Sequence, residues 1–159
     1  MSFDLLIQME PSKTQRKEGE IFVIQPSKNL FFFGKVIRTK IQLSDPIMNG
    51  GHLVYIFSHS SSSLEMPEYL NPNNLLIPPQ IINNRSWSKG YFKTVGIQQV
   101  TEEERQIDYG FLDIVSKGFV NEEGVQLKHK PTVYEDFGLG SYGTVAYKVK
   151  EALNPSFSG

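Results

Sequence analysis

Two β-type runs joined by a turn, within the stretch Lys17 to Thr39, constrain this chain more than any other feature. Glu20–Ile24 and Leu30–Ile37 are dense in β-branched and aromatic residues, the types that pack on a pleated surface. Between them lies Gln25-Pro26-Ser27-Lys28-Asn29, where proline fixes φ and the serine and asparagine side chains bond locally. The pair is predicted to be a β-hairpin with one of the longer loops. Ile21 and Val23 are expected on one face, Phe22 and Ile24 on the other. In the second run Phe31 and Phe33 oppose Leu30, Phe32 and Lys35, with Gly34 resetting the pattern. Apolar residues on both faces require cover on both sides. A glycine inside a strand predicts a bulge or a sharp coil.

The rest of the chain supplies that cover. Phe3–Met9 is read as an edge strand or arm, Ser12–Glu18 as a polar loop, and Gln42–Gly51 as a second loop around Pro46 and Gly50-Gly51. His52–Phe57 alternates as a strand with Leu53, Tyr55 and Phe57 on one face. Ser58–Ser63 reads as a solvated crossing. Leu64–Leu70 has room for one helical turn. Leu75–Ile82 is an apolar run holding Pro78-Pro79, which donate no ladder bonds, so this strand lies at an edge or starts after them. Trp87–Ile97 is read as a strand pair or a bent strand. Thr101-Glu102-Glu103-Glu104 fits a capping box opening a short helix. Phe111–Val115 and Gly118–Val120 are predicted strands, and Val125–Lys128 is expected to pair with Val133–Phe137. From Ser141 the apolar period changes to about 3.6, with Tyr142, Val145, Ala146, Val149 and Leu153 on one helical face, ended by Asn154-Pro155.

These readings give a mainly β (α+β) fold: a twisted, partly closed antiparallel sheet, small-barrel-like, with a C-terminal amphipathic helix and one or two short helices. At 159 residues one domain is expected, with a compact core at 17–153 and residues 1–16 as the arm. With no cysteine, disulfide frameworks and thiolate chemistry are excluded. No apolar run is long enough to span a membrane, and the first residues lack a basic leader, so a cytoplasmic location is expected. Residues 1–40 carry seven basic and four acidic side chains; residues 41–88 carry one and three, and residues 89–159 eight and ten. This is neither the basic stripe of a nucleic-acid binder nor the acidic excess of a nucleic-acid mimic.

The chemistry-bearing motifs are weak. Gly138-Leu139-Gly140-Ser141-Tyr142-Gly143 satisfies G-x-G-x-x-G. A dinucleotide fold needs a further strand and an acid about 20 residues on, and the sequence stops short of both. The glycines are read as a strand-to-helix turn, used for positive φ and close packing. His52, His59 and His129 lack metal-ligand spacing, and the acidic runs are read as solvated faces, so no metal or cofactor is expected. Ser60–Ser63 has no neighbouring base. Trp87, Tyr91 and Phe92 are assigned to the core.

Gly19-Glu20-Ile21-Phe22-Val23-Ile24, followed by Phe32-Phe33-Gly34-Lys35-Val36-Ile37, resembles the opening of the immunity protein 26 family of bacterial polymorphic toxin systems. Leu76-Ile77-Pro78-Pro79-Gln80-Ile81 with Trp87-Ser88-Lys89-Gly90-Tyr91-Phe92 is similar to the family's middle segment. Gly138-Leu139-Gly140-Ser141-Tyr142 resembles its C-terminal end. The resemblance implies a non-catalytic protein of mostly β fold that binds and neutralises a cognate protein toxin, and it brings no catalytic residues with it. Glu122, Glu123, Tyr134, Glu135 and Asp136, where acidic and aromatic residues alternate closely, are the expected contact residues for a basic toxin cleft. Two other functions remain open on the residues alone. One is an RNase-type small-barrel enzyme drawing on Arg16, Arg38, Arg85 or Arg105. The other is a nucleic-acid binder using the basic first third.

Overall fold

A computed structural model describes residues 5–43 and 50–154. Its frame is the predicted hairpin, β1 (Glu20–Ser27) and β2 (Leu30–Arg38). The loop is shorter than predicted. β1 continues through Gln25-Pro26-Ser27, and Ser27 pairs with Leu30 across Lys28-Asn29. A register shift between Ile24 and Ser27 absorbs the proline, and Asn29 takes φ 62°, accessible to an asparagine.

β3 (His52–Ser61), β4 (Leu75–Ile82) and β5 (Lys93–Ile97) complete a five-stranded antiparallel sheet in the order β4-β3-β2-β1-β5. The serine tract is therefore not a free crossing: Ser60 and Ser61 pair with Phe32 and Phe31. Pro78 and Pro79 lie inside β4, at the edge as predicted, where the register against β3 shifts between Val54 and Ile56. Trp87 is not on a strand. Asn84 turns the chain into a one-turn helix, α1 (Arg85–Ser88), which points the indole inward. Leu64–Leu70 forms no helix. The capping box does open a helix, α2 (Glu102–Arg105), with Thr101 Oγ1 accepting from the Glu104 amide and Glu104 Oε1 from the Thr101 amide.

A second sheet has the order β7-β6-β8, from β6 (Tyr109–Asp113), β7 (Gly118–Val120) and β8 (Val133–Asp136). β8 pairs in parallel with β6, rather than with Val125–Lys128. The long return from β7 makes this possible, since a tight turn permits only antiparallel neighbours. Gln126 instead bridges to Val120. The last helix, α3 (Tyr142–Leu153), starts at Ser141 as predicted and buries Val145, Ala146 and Val149. Asn154 caps it. Of the remaining sequence readings, Phe3, the central residues of the Gln42–Gly51 loop with Pro46, and Pro155 lie outside the described residues.

The large sheet is covered on both faces and curls without closing. Ile21, Val23, Phe31, Phe33, Ile37, Leu53, Tyr55 and Phe57 pack towards the small sheet, against Phe111 and Val120. Phe22, Ile24, Phe32, Val36, Val54 and Ile56 pack towards α3, Trp87, Phe92 and Leu6 of the N-terminal arm. The arm is tied down by the Ile7 amide to Gln25 O (2.8 Å) and the Met9 amide to Gly90 O (2.7 Å). Alternation runs unbroken through Gly34, so Lys35 shares the face of Phe31 and Phe33 instead of the opposite one. Gly34 still matters: the Phe22 ring lies over it, and an added Cβ would also come to 2.8 Å from Tyr55 O. The β2–β3 register shifts between Phe32 and Gly34, which bends the sheet at that point.

Phe22 is fully buried, stacked on Phe92 at 4.7 Å between centroids and edge-on to Trp87 at 5.4 Å. Phe22→Ala is expected to cost about 3–5 kcal/mol, read as a lowered melting temperature. An unchanged melting temperature would place the hairpin outside the core.

Candidate functional site

Ionisable side chains between the two sheets are engaged with one another. Lys35, 1% exposed, donates to Glu104 Oε1 (2.8 Å) and Oε2 (3.2 Å) and to Gln99 O (3.0 Å). Its three N–H donors thus meet three acceptors. Tyr55 donates to Glu104 O (2.9 Å), and its ring meets that of Tyr109 at 6.0 Å. Tyr109 donates to Glu122 Oε1 (2.5 Å), while Arg38 holds Glu122 Oε2 (2.8 Å) and Glu123 Oε1 (3.1 Å). Burial, reinforced by nearby carboxylates, pushes both phenols well above the usual tyrosine range, so they remain neutral donors. The hydrogen bond that Arg38 donates to Glu122 leads the forces that raise the Arg38 pKa.

A second cluster sits at the opposite side of the hairpin. Arg16 bonds Glu20 (3.1 Å) and Thr94 (3.1 Å) and lies 4.7 Å over the Trp87 ring. Burial lowers its pKa, partly opposed by Glu20. Arg16 and Arg38 are therefore structural cations, held by internal acids.

The five residues proposed for partner contact divide by strand alternation. Glu122 is at a turn, as predicted, but its carboxylate points inward and is buried. Glu135 also faces inward, to Lys148 (3.3 Å) and Gln80 (3.4 Å). Tyr134 and Asp136 point outward, and Glu123 is exposed beside Arg38. Cross-strand register puts Tyr134 opposite Gly110, and Leu112 between Phe119 and Asp136, all on the outer face of the small sheet. The Phe119 and Tyr134 rings meet edge-on at 4.9 Å, and Lys130 Nζ lies 5.6 Å from the Tyr134 ring. At the β6–β7 turn Ile114 is 73% and Val115 92% exposed. Leu112, Ile114, Val115 and Phe119 were missed as surface residues. Alternation signals Leu112 and Ile114 in the Phe111–Val115 run and Phe119 in Gly118–Val120; Val115 is exposed because β6 ends at Asp113 and the chain turns there.

The glycine loop is a strand-to-helix turn, but none of Gly138, Gly140 and Gly143 has positive φ. Close packing is the part that holds: an added Cβ on Gly140 would meet Thr144 Oγ1 at 3.1 Å and Ile81 O at 3.3 Å. The first turn of α3 is occupied by its own capping box, Ser141 with Thr144. Glu135 and Asp136 line the adjoining cleft of about 150 Å³, where they oppose an anion. Among the described residues no three His, Asp or Glu side chains gather to hold a metal ion. No helix there is long and apolar enough to cross a membrane.

The sequence profile described as Immunity protein 26 matches residues 17–117, more than half of the chain. The chain belongs to the immunity protein 26 family. No curated protein and no solved structure matches it. The family segment begins at Lys17, spans all five strands of the large sheet, α1, α2 and β6, and ends at the β6–β7 turn. The matched segment thus contains the buried hairpin frame and the Lys35–Glu104 pair. β7, β8 and α3 lie past the matched segment.

Removing one partner of the Lys35–Glu104 pair leaves a buried charge alone. Lys35→Met is expected to cost about 3–5 kcal/mol, and Lys35→Met with Glu104→Gln to recover much of it. Urea denaturation of the three proteins measures both steps. A double variant no more stable than the single one would mean the pair is not the interaction that matters.

Proposed function

We propose that this immunity protein binds its cognate toxin and neutralises it by occlusion, without catalysis, in the bacterial cytoplasm. The observation that carries this reading is the outer face of the small sheet. Tyr134, Phe119 and Leu112, with Ile114 and Val115 at the adjoining turn, form an apolar and aromatic surface outside both core clusters. Aromatic anchors ringed by polar groups are what hot spots are made of. Asp136, next to Leu112 in the register, supplies negative charge on this surface, which suits a toxin with a basic cleft, and Glu123 is exposed beside Arg38. Glu122 and Glu135 support the surface from behind, Glu122 by orienting Arg38 and Tyr109, Glu135 by holding Lys148.

This division predicts two kinds of variant. Tyr134→Ala and Val115→Asp are expected to leave the melting temperature within error and weaken toxin binding by about tenfold or more each. Glu122→Lys is expected to lower the melting temperature, because it puts a cation against Arg38 in a buried site. Calorimetric titration against the toxin that a pull-down with this chain identifies, with survival of co-expressing cells, reads the first pair. Full affinity in Tyr134→Ala and Val115→Asp would move the contact surface elsewhere.

A further inference from the structure

β4 and β8 lie side by side and are joined towards their C-terminal ends, by Gln80 to Glu135 (3.4 Å) and, just beyond β8, by the Gly140 amide donating to Ile81 O (2.6 Å) and the bridge of Ile82 to Gly140. Near their N-terminal ends the two sheets part and leave a cleft of about 440 Å³. That size lies within the usual range for a bound group. Its lining is mixed: Leu75 of β4 shares the small-sheet side of the core with Ile107, Val133 adds a further apolar group, and Asn73, Asn74, Gln106 and Thr132 are polar. The only charged side chain among its lining residues is Asp108; no lysine or arginine is among them.

Asp108 is held in place. Its Oδ1 meets His129 Nε2 at 2.7 Å, and its Oδ2 accepts from the Thr132 amide (3.0 Å) and Thr132 Oγ1 (2.7 Å). These bonds, that to His129 first, hold the carboxyl below the usual carboxylate range, so it is ionised at neutral pH. Its side chain is 44% exposed, so the carboxylate is open to a further donor. An anion is repelled here, and a purely apolar plug desolvates a charge without pairing it. A long aliphatic stem ending in a cation satisfies both the walls and the acid.

We propose that this cleft receives an arginine side chain of the toxin, its stem along Leu75 and Ile107 and its guanidinium on Asp108. The proposal rests on the toxin-binding function inferred above and deepens it. The cleft and the proposed surface lie on the two faces of the edge strand β8: Val133 lines the cleft and Tyr134, next along the strand, points outward, so a toxin lying over that edge reaches both. An arginine there would lock the register in which the toxin lies across the aromatic face.

Two measurements test this. In the free protein, N-acetyl-arginine methylamide is titrated while backbone amide resonances are followed, with the norleucine and glutamate analogues as controls. Shifts at Ile107, Asp108 and Val133 that saturate for the arginine analogue alone are expected. Equal shifts with the norleucine analogue would make the cleft an apolar socket and overturn the assignment. In the complex, Asp108→Asn removes the charge, and Asn74→Trp fills the mouth from a side chain outside the Asp108 bonds. Each is expected to weaken toxin binding at least tenfold with the melting temperature kept. If the wild-type chain binds and protects while both variants bind within twofold of it, the cleft assignment fails and the neutralising function stands. A wild-type chain that does not bind the toxin overturns both.

Discussion

A lysine and a glutamate sealed between two apolar layers set the terms for this molecule. Neither charge survives burial alone, because an isolated ion in a low-dielectric interior costs several kcal/mol even after relaxation. Lys35 on the central strand β2 therefore compels α2 to sit where Glu104 can reach it, 2.8 Å away. The capping box and the Tyr55 hydroxyl then use the remaining acceptors of the same glutamate. Tyr109, two residues past the α2 turn and its Ile107 wall, is brought onto Tyr55, and Glu122 follows through Tyr109 and Arg38. One ionic contact thus docks the small sheet on the large one. Apolar packing supplies most of the stabilisation, but it is non-directional, and the polar chain fixes which face meets which.

The sheet that carries this network curls because its ladder is repeatedly interrupted. β1 and β5 shift register between Ile21 and Phe22, β2 and β3 at Gly34, and β3 and β4 beside the prolines. Each interruption adds twist. The curl lets α3 and the indole of Trp87 cover one face while α2 and β6 cover the other.

The frame was legible in the sequence because period-two alternation is enforced at every residue of a doubly covered hairpin. The burial of Phe22, Phe33 and Val36, the edge position of Pro78-Pro79, the Thr101 box and the start of α3 all follow from local chemistry. The misreadings arose where tertiary contacts overrode it. Gln25-Pro26 looked like loop because a register shift accommodates the proline within the strand. Trp87 looked like strand because one helical turn is too short to show a period. β8 looked like half of a hairpin because parallel pairing leaves no mark in a four-residue run. In the proposed contact set, composition marked the right region but could not show side-chain direction. Tyr134 and Asp136 face out, while Glu122 and Glu135 turn inward to cations contributed from β2 and α3.

The way the large sheet ends has a consequence for the protein as a solute. β4 closes one side with two prolines and a bond to Gly140, and β5 closes the other with a register shift at Val95, between Thr94 and Gly96. Neither side presents a long, flat row of unpaired amides and carbonyls. The large sheet therefore offers other copies of the chain no template for stacking strand on strand.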